Sequence, residues 1–252
     1  MNTTDYASVK KAYDHDGYAF LPAFLSEEEI TRIREELNTF IAQQVPGMPP
    51  GYVFYEDKSD PATLKQLQDM HRYSPFFEKM LEGSRFEELA AVLLDDTAVP
   101  KNIEYFNKPA HIGKATPPHQ DGYYFMLKPV KAITMWLALE PADETNGCVR
   151  YIKGSHLKPM RPHGRTQTLG FSQGITDYSE QDKTEEVFFP AKAGDLLVHD
   201  AMTIHRTDPN GSARSRKALG FIYFGASAKE DLEAKAAYQQ RLHEERFEKN
   251  EK

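Results

Sequence analysis

One cysteine, Cys148, is all the chain has, so no disulfide can form within it. No apolar run reaches the ~18 residues of a membrane-spanning helix. The first residues, MNTTDYASVKKAYDHDG, lack the apolar centre of a secretory signal. Positive charge is outnumbered: 31 Lys and Arg against 38 Asp and Glu give a formal net charge of −7. That balance argues against non-specific binding to nucleic acid. Linkers and internal repeats are also missing. These absences leave a cytoplasmic protein without a membrane or nucleic-acid partner as the expectation. Its 252 residues, 40 % of them hydrophobic, suffice for a single packed domain.

What is present changes character along the chain. In LSEEEITRIREELNTFI, Ser26 and Glu29 form a capping box, Leu25 and Ile30 a hydrophobic staple, and Ile30, Ile33, Leu37 and Ile41 repeat at helical spacing. A short strand is expected just before it, in GYAFLPAF. Asp60-Pro61 predicts a second helix, Ser74-Pro75 a third ended by Gly83, and SRFEELAAVLLDD a fourth. From about residue 99 the pattern becomes short aromatic and β-branched runs between turn-formers: NIEYFNK, AITMWLALE, GCVRYIKG, EVFFPAKAGDLLVHD and ALGFIYFGA. Helices first and strands afterwards argue against alternating βαβ units. The expectation is a mainly β fold with flanking helices: a helical part over 1–98, a double-sheet or closed β core over 99–226, and a polar helix over 228–248 with a thin stripe of Leu232, Ala236 and Leu242.

Within TPPHQDGYYF, His119 and Asp121 stand two apart, which in extended chain puts both side chains on one side. Alone, the pair reads equally as a hydrogen-bonded His–Asp at a strand end. The later stretch AGDLLVHDAMTIHRTDPNGSARSRKALGF adds His205 leading into a turn, and Arg214 and Arg216 at the entrance of the next strand. Two neutral imidazoles and one carboxylate on a face of an octahedral ion describe the non-haem Fe(II) oxygenase triad. Of the positions left open, a 2-oxo acid chelates two and O2 takes the third. The far carboxylate of that co-substrate needs a fixed cation, and the planar fork of arginine suits it. Spacing alone separates Arg214 from Arg216 weakly.

With HQDGYY, the His205-Arg206-Thr207 triplet, an arginine 11 residues past His205, DGYAFLPAFLSEEE and KGSH in place, the chain resembles the phytanoyl-CoA dioxygenase family of Fe(II)/2-oxoglutarate oxygenases from about residue 14 to 226. The resemblance implies a double-stranded β-helix (jelly roll, cupin-like). It implies His119, Asp121 and His205 as iron ligands, Arg216 and Thr207 on the distal carboxylate of 2-oxoglutarate, and, more loosely, Lys108 or Asn107 near the co-substrate. Halogenating relatives replace the metal carboxylate by a small residue. Asp121 is kept here, so hydroxylation of an unactivated C–H bond, with release of succinate and CO2, is the expected reaction. Two rivals are a jelly-roll binding or sensing protein without turnover, and a cupin-type dioxygenase that uses no 2-oxo acid.

Other residues carry weaker expectations. Among Tyr123, Tyr124 and Phe125 at least one is expected to line the pocket. LKPMRPHGR gathers Lys158, Arg161, His163 and Arg165 without an acid, which predicts an anionic small-molecule substrate met by Arg161 and His163. His156 is expected to organise its loop, His199 to be a core or turn residue with a second reading beside the ligands, and Trp136 to be core. His15, His71 and His243 are expected in solvent and His111 in a loop.

Overall fold

The computed structural model describes residues 6–168, 171–238 and 240. The first part of the chain forms α1 (Tyr6–Asp16), β1 (Tyr18–Leu21), α2 (Glu27–Gln43), β2 (Val53–Tyr55), β3 (Leu64–Leu67), α3 (Pro75–Leu81) and α4 (Arg85–Leu94). The strand-rich part forms β4 (Ala98–Lys108), β5 (Thr116–His119), the single turn α5 (Gly122–Phe125), β6 (Leu127–Lys128), β7 (Ala132–Ala138) and β8 (Val149–Ile152). It continues through β9 (His163–Thr168), β10 (Phe171–Ile175), α6 (Glu180–Thr184), β11 (Glu186–Phe189), β12 (Leu196–Asp200), β13 (His205–Thr207), β14 (Arg216–Gly225) and β15 (Lys229–Glu230). Residues 232–238 are helical. Leu242 and His243, named above, lie outside the described residues, and Leu232 is exposed. No described helix is long and apolar enough to cross a membrane.

Among the described residues, the larger sheet runs β1-β12-β7-β14-β4-β3-β2 and the smaller β11-β8-β13-β5, all pairs antiparallel. The alternation of strand side chains explains both faces of the larger sheet. Ile133, Met135 and Leu137 of β7, with Leu219, Phe221 and Tyr223 of β14, point outward and join Ile30, Ile33, Leu37, Phe77 and Leu89 of the helices in one buried cluster. Trp136, Ala138, Leu197 and Ala218 point inward and meet Val149 and Tyr151 of the smaller sheet. Two sheets facing each other over such a layer make the jelly roll. β7 is buried along its whole length, as a strand covered on both faces must be.

The capping box at Ser26 and Glu29 forms as expected, and α3 and α4 start behind Ser74 and Ser84. The helix expected from Asp60-Pro61 does not form. Asp60 caps the Ala62 amide and the Thr63 hydroxyl bonds back to the Asp57 and Asp60 carbonyls, closing a short 3-10 turn. The chain then enters β3, where all four residues are buried. Lys65 finds Glu56 at 3.2 Å and Gln66 finds Glu104 at 3.1 Å, so tertiary partners override the helical propensity of LKQL. Helix α1 buries Tyr13, whose hydroxyl donates to Asp200. His71, expected in solvent, is half-buried.

Candidate active site

His119 ends β5 and His205 begins β13, and the two are direct cross-strand partners. Antiparallel pairing therefore brings them together, with ring centroids 4.1 Å apart. Asp121 lies two residues on, where the chain turns into α5. Gln120 between them points away: its side-chain amide donates to Met202 O (2.8 Å) and accepts from the Arg161 amide (2.9 Å). This buried glutamine pins the turn to the loop that carries His205. Nothing in the sequence signals its role except its place inside the H-x-D triplet.

Hydrogen bonds settle which atoms face the common space. His119 Nδ1–H donates to Pro117 O at 2.8 Å and His205 Nδ1–H to Thr203 O at 3.0 Å. Both Nε2 atoms therefore keep their lone pairs, and they lie 3.4 and 3.7 Å from Asp121 Oδ1. The other oxygen, Oδ2, is occupied: Thr134 Oγ1–H donates to it at 2.6 Å and His199 Nε2–H at 3.2 Å. His199 Nδ1 in turn accepts from the Tyr151 hydroxyl at 2.9 Å. So His199 is neither simple core nor turn; it orients the carboxylate. Parity could have found it, since His199 and Leu197 share the inward face of β12.

Burial alone would raise the Asp121 carboxyl. The imidazoles around it, His205 foremost and His119 and His199 with it, outweigh burial and hold the group well below its ordinary range. Burial pushes the His205 imidazole well below its usual value, with His119 and His199 acting in the same direction. An ionised carboxylate and unprotonated Nε2 atoms are the state that a divalent cation requires. His119, Asp121 and His205 offer donors that all lie within 4.8 Å of one another. The set could hold a metal ion, with one carboxylate oxygen and two imidazole nitrogens turned to the same point.

The strand β13 is held in register from behind. Arg206, between His205 and Thr207, faces outward, and its guanidinium donates to Glu186 (2.8 Å) and Asp208 (2.5 Å). Arg150 also donates to Glu186 (3.0 Å), and the Tyr178 hydroxyl does so at 2.6 Å. A network of this kind fixes geometry more than it adds stability.

The triad opens on a cleft of about 1210 Å³ including its mouth. At one end stands Arg216, 4 % exposed, with its guanidinium 5.2 Å from the centre of the Trp136 ring. Its buried Nε has no hydrogen-bond partner, and no carboxylate pairs with it among the described residues. Burial lowers it to about 10. Thr207, also in the lining, accepts from the Thr116 amide at 3.3 Å, which leaves its own proton to donate. Lys108, directly opposite Arg216 in the ladder, is buried and donates to Lys114 O. Asn107 donates to Leu64 O at 2.8 Å and keeps an unpartnered Oδ1. Arg214, by contrast, is half-exposed and pairs with Asp143 at 2.6 Å.

Of the aromatic run, Tyr124 and Phe125 line the cleft, and the Tyr124 hydroxyl donates to Gln173 O at 2.6 Å. Tyr123 turns away and stacks on His163 at 4.3 Å. Trp136 is both core and cleft wall. Neither Arg161 nor His163 lines the cleft. His163 Nε2 accepts from the Gln120 amide at 3.1 Å. Arg161 donates to Asp177 at 3.0 Å and Asp182 at 2.7 Å, so two acids brought in by the fold occupy the guanidinium that sequence reading offered to a substrate. Arg161→Ala is expected to cost about 1 kcal/mol of stability, the upper end for such pairs, in a urea titration. Ligand binding in the cleft should not change. His156 bonds to Asp14 O at 3.1 Å and ties its loop to α1.

Known proteins bear on this arrangement directly. Residues 13–218 match the profile of the family described as Phytanoyl-CoA dioxygenase (PhyH). The peroxisomal phytanoyl-CoA dioxygenase of Mus musculus is 27 % identical, over 96 % of this chain and 75 % of that protein. A probable alpha-ketoglutarate-dependent hypophosphite dioxygenase of Stutzerimonas stutzeri is 23 % identical, over 88 % and 80 %. In fold, the chain superposes on EctD from S. alaskensis, solved with 2-oxoglutarate and 5-hydroxyectoine, with a TM-score of 0.74 at 18 % identity, covering 90 % of this chain and 79 % of that one. The epimerase SnoN, solved with Fe3+, alpha ketoglutarate and nogalamycin RO, gives 0.73 at 22 %, over 89 % and 85 %. The profile spans most of the chain, including β5, β13 and Arg216, and the chain belongs to the phytanoyl-CoA dioxygenase family of Fe(II)/2-oxoglutarate-dependent oxygenases.

Proposed function

We propose that this protein hydroxylates an unactivated C–H bond of a small molecule, with Fe(II) held by His119, Asp121 and His205 and with 2-oxoglutarate and O2 as co-substrates. The observation that carries the reading is the preset triad, in which backbone carbonyls fix both imidazole tautomers and only one Asp121 oxygen is left over. Bound there, the iron and the 2-oxo acid would supply the oxidising power drawn from O2, with release of succinate and CO2. The chain's own residues do the rest. Arg216 gives the distal carboxylate a buried cation that lacks a carboxylate partner among the described residues, and Thr207 adds a hydroxyl donor beside it. Lys108 stands opposite Arg216 in the same ladder, where burial and the Arg216 charge push its ammonium well below its usual range and leave Arg216 as the fixed cation at that end. Tyr124 and Phe125 close the wall beside His119 and keep water from the reacting space. Retention of Asp121 fills the position that a halide would need.

The direct test is succinate release from 2-oxoglutarate in the presence of Fe(II) and O2, followed across classes of small metabolite. Succinate above a metal-free control supports the reading. None, with or without candidate substrates, sinks it and leaves a binding or sensing role. The positioning of Asp121 has its own test. His199→Phe keeps a ring in place and removes the hydrogen bond to Oδ2. The expected loss in metal affinity is roughly 10–100-fold, measured by titrating metal into the metal-free protein; a thermal melt shows that the fold persists, at a lower midpoint because the buried Tyr151 hydroxyl loses its acceptor.

A further inference from the structure

A second polar cluster lies in the cleft, away from the triad. Glu104 projects from β4 and is 7 % exposed. Gln66 Nε2 donates to one of its oxygens at 3.1 Å and Asn102 Nδ2 to the other at 2.6 Å. No cation pairs with it among the described residues. The ammonium of Lys65 is taken by Glu56, and that of Lys108 by the Lys114 carbonyl. The charges that act on Glu104, Asp121 and Asp69, are both negative. Gln66 is itself 3 % exposed, and its Oε1 has no donor. A buried carboxyl without a counter-ion beside an amide oxygen without a donor is costly unless something supplies both.

The ladder places this wall relative to the rest. Glu104 stands opposite Gly220 and Lys108 opposite Arg216. Four residues at about 3.3 Å each put roughly 13 Å between the acidic wall and the cationic end. Gly220 brings no side chain to the face between β14 and β4, and Thr134, which holds Asp121, lies on the next strand over. The cleft is therefore bipolar: a cationic end suited to a dicarboxylate, and an acceptor-rich wall facing the space beside the triad.

We propose that Glu104, positioned by Asn102 and Gln66, recognises the primary substrate, and that this substrate presents a cationic hydrogen-bond donor, an ammonium or amidinium, to Glu104 and to the free oxygen of Gln66. The inference rests on the oxygenase reading only in taking this cleft as the substrate site. It gives the substrate a charge opposite to the one expected from Arg161. Burial, the largest effect, pushes the Glu104 carboxyl up to about 8, the Gln66 hydrogen bond opposing it. A bound cation would relieve that cost.

Three probes that differ only in their head group decide the matter: benzylamine, benzyl alcohol and benzoate. Each is titrated calorimetrically into the protein holding Mn(II) and saturating 2-oxoglutarate, so no turnover is involved. Just above pH 8, where most of the Glu104 carboxyl is ionised and the amine is still an ammonium, it is expected to bind about tenfold or more tighter than the alcohol, as a charge-assisted bond does against a neutral one. Glu104→Gln should remove that preference and leave the alcohol within about twofold. Gln66→Met, nearly isosteric, should weaken the ammonium several-fold, and it keeps the test open should Glu104→Gln not fold. An ammonium that binds no better than the alcohol, that does not bind at all, or that binds Glu104→Gln as well as the wild type overturns the proposal. Failure of the oxygenase reading would appear separately, as absence of 2-oxoglutarate binding in the same protein.

Discussion

Asp121→Asn is expected to fold and to lose the metal. Asparagine keeps the size of the side chain and an oxygen for the Thr134 hydroxyl, so the turn into α5 survives. What it loses is the charge that balances a divalent ion and the ligand oxygen facing the two Nε2 atoms. Removal of a hydrogen-bonding partner behind a ligand typically costs roughly 10–100-fold in metal affinity; removal of the ligand itself should exceed the upper figure. His119→Ala and His205→Ala should behave alike, because each leaves a two-ligand site. The measurement is metal content after dialysis against Fe(II) under anaerobic conditions, with a thermal melt to show that the fold persists. Unchanged iron in His119→Ala would break the triad.

Arg216→Ala should raise the 2-oxoglutarate requirement by roughly tenfold to a hundredfold, the equivalent of about 1.5–3 kcal/mol for a charge-assisted hydrogen bond. Arg214→Ala should do much less, since its guanidinium is half in solvent and bound to Asp143. The structure adds a sharper expectation. A buried cation without a counter-ion destabilises the empty protein, so Arg216→Ala should melt no lower than the wild type when 2-oxoglutarate is absent. Added 2-oxoglutarate should then raise the melting temperature of the wild type and move the variant far less, as linkage requires. Equal stabilisation of both would place the distal carboxylate elsewhere. Thr207→Val should show a smaller effect of the same kind.

Much of the site could be read from spacing because it is built from strand parity. His119 and Asp121 at i and i+2, and His205 and Thr207 at i and i+2 on the partner strand, face inward by the same rule that turns Arg206 outward to Glu186. Helices α2, α3 and α4 announced themselves through caps and period. What escaped depends on contacts that no local pattern encodes. Residues Leu64–Leu67 have the propensity of a helix and become a strand because β4 supplies an edge and Glu104 a partner for Gln66. Arg161 looks like an unopposed cation in sequence because its acids, Asp177 and Asp182, arrive from 16 and 21 residues further on. Glu104 sits in a run of strand-forming aromatics, and its place in the cleft wall shows only once β4 is built into the sheet.

Whether one metal ion and one 2-oxo acid meet in this cleft is read most directly in an anaerobic titration. Fe(II) is added to metal-free protein with 2-oxoglutarate present, and the visible charge-transfer absorption of a metal-chelated 2-oxo acid is followed. A band is expected that saturates at one Fe(II) per chain, is absent in His205→Ala, and needs much more 2-oxoglutarate in Arg216→Ala. A wild-type protein that gives no such band, or a band that His205→Ala retains at full strength, would contradict it.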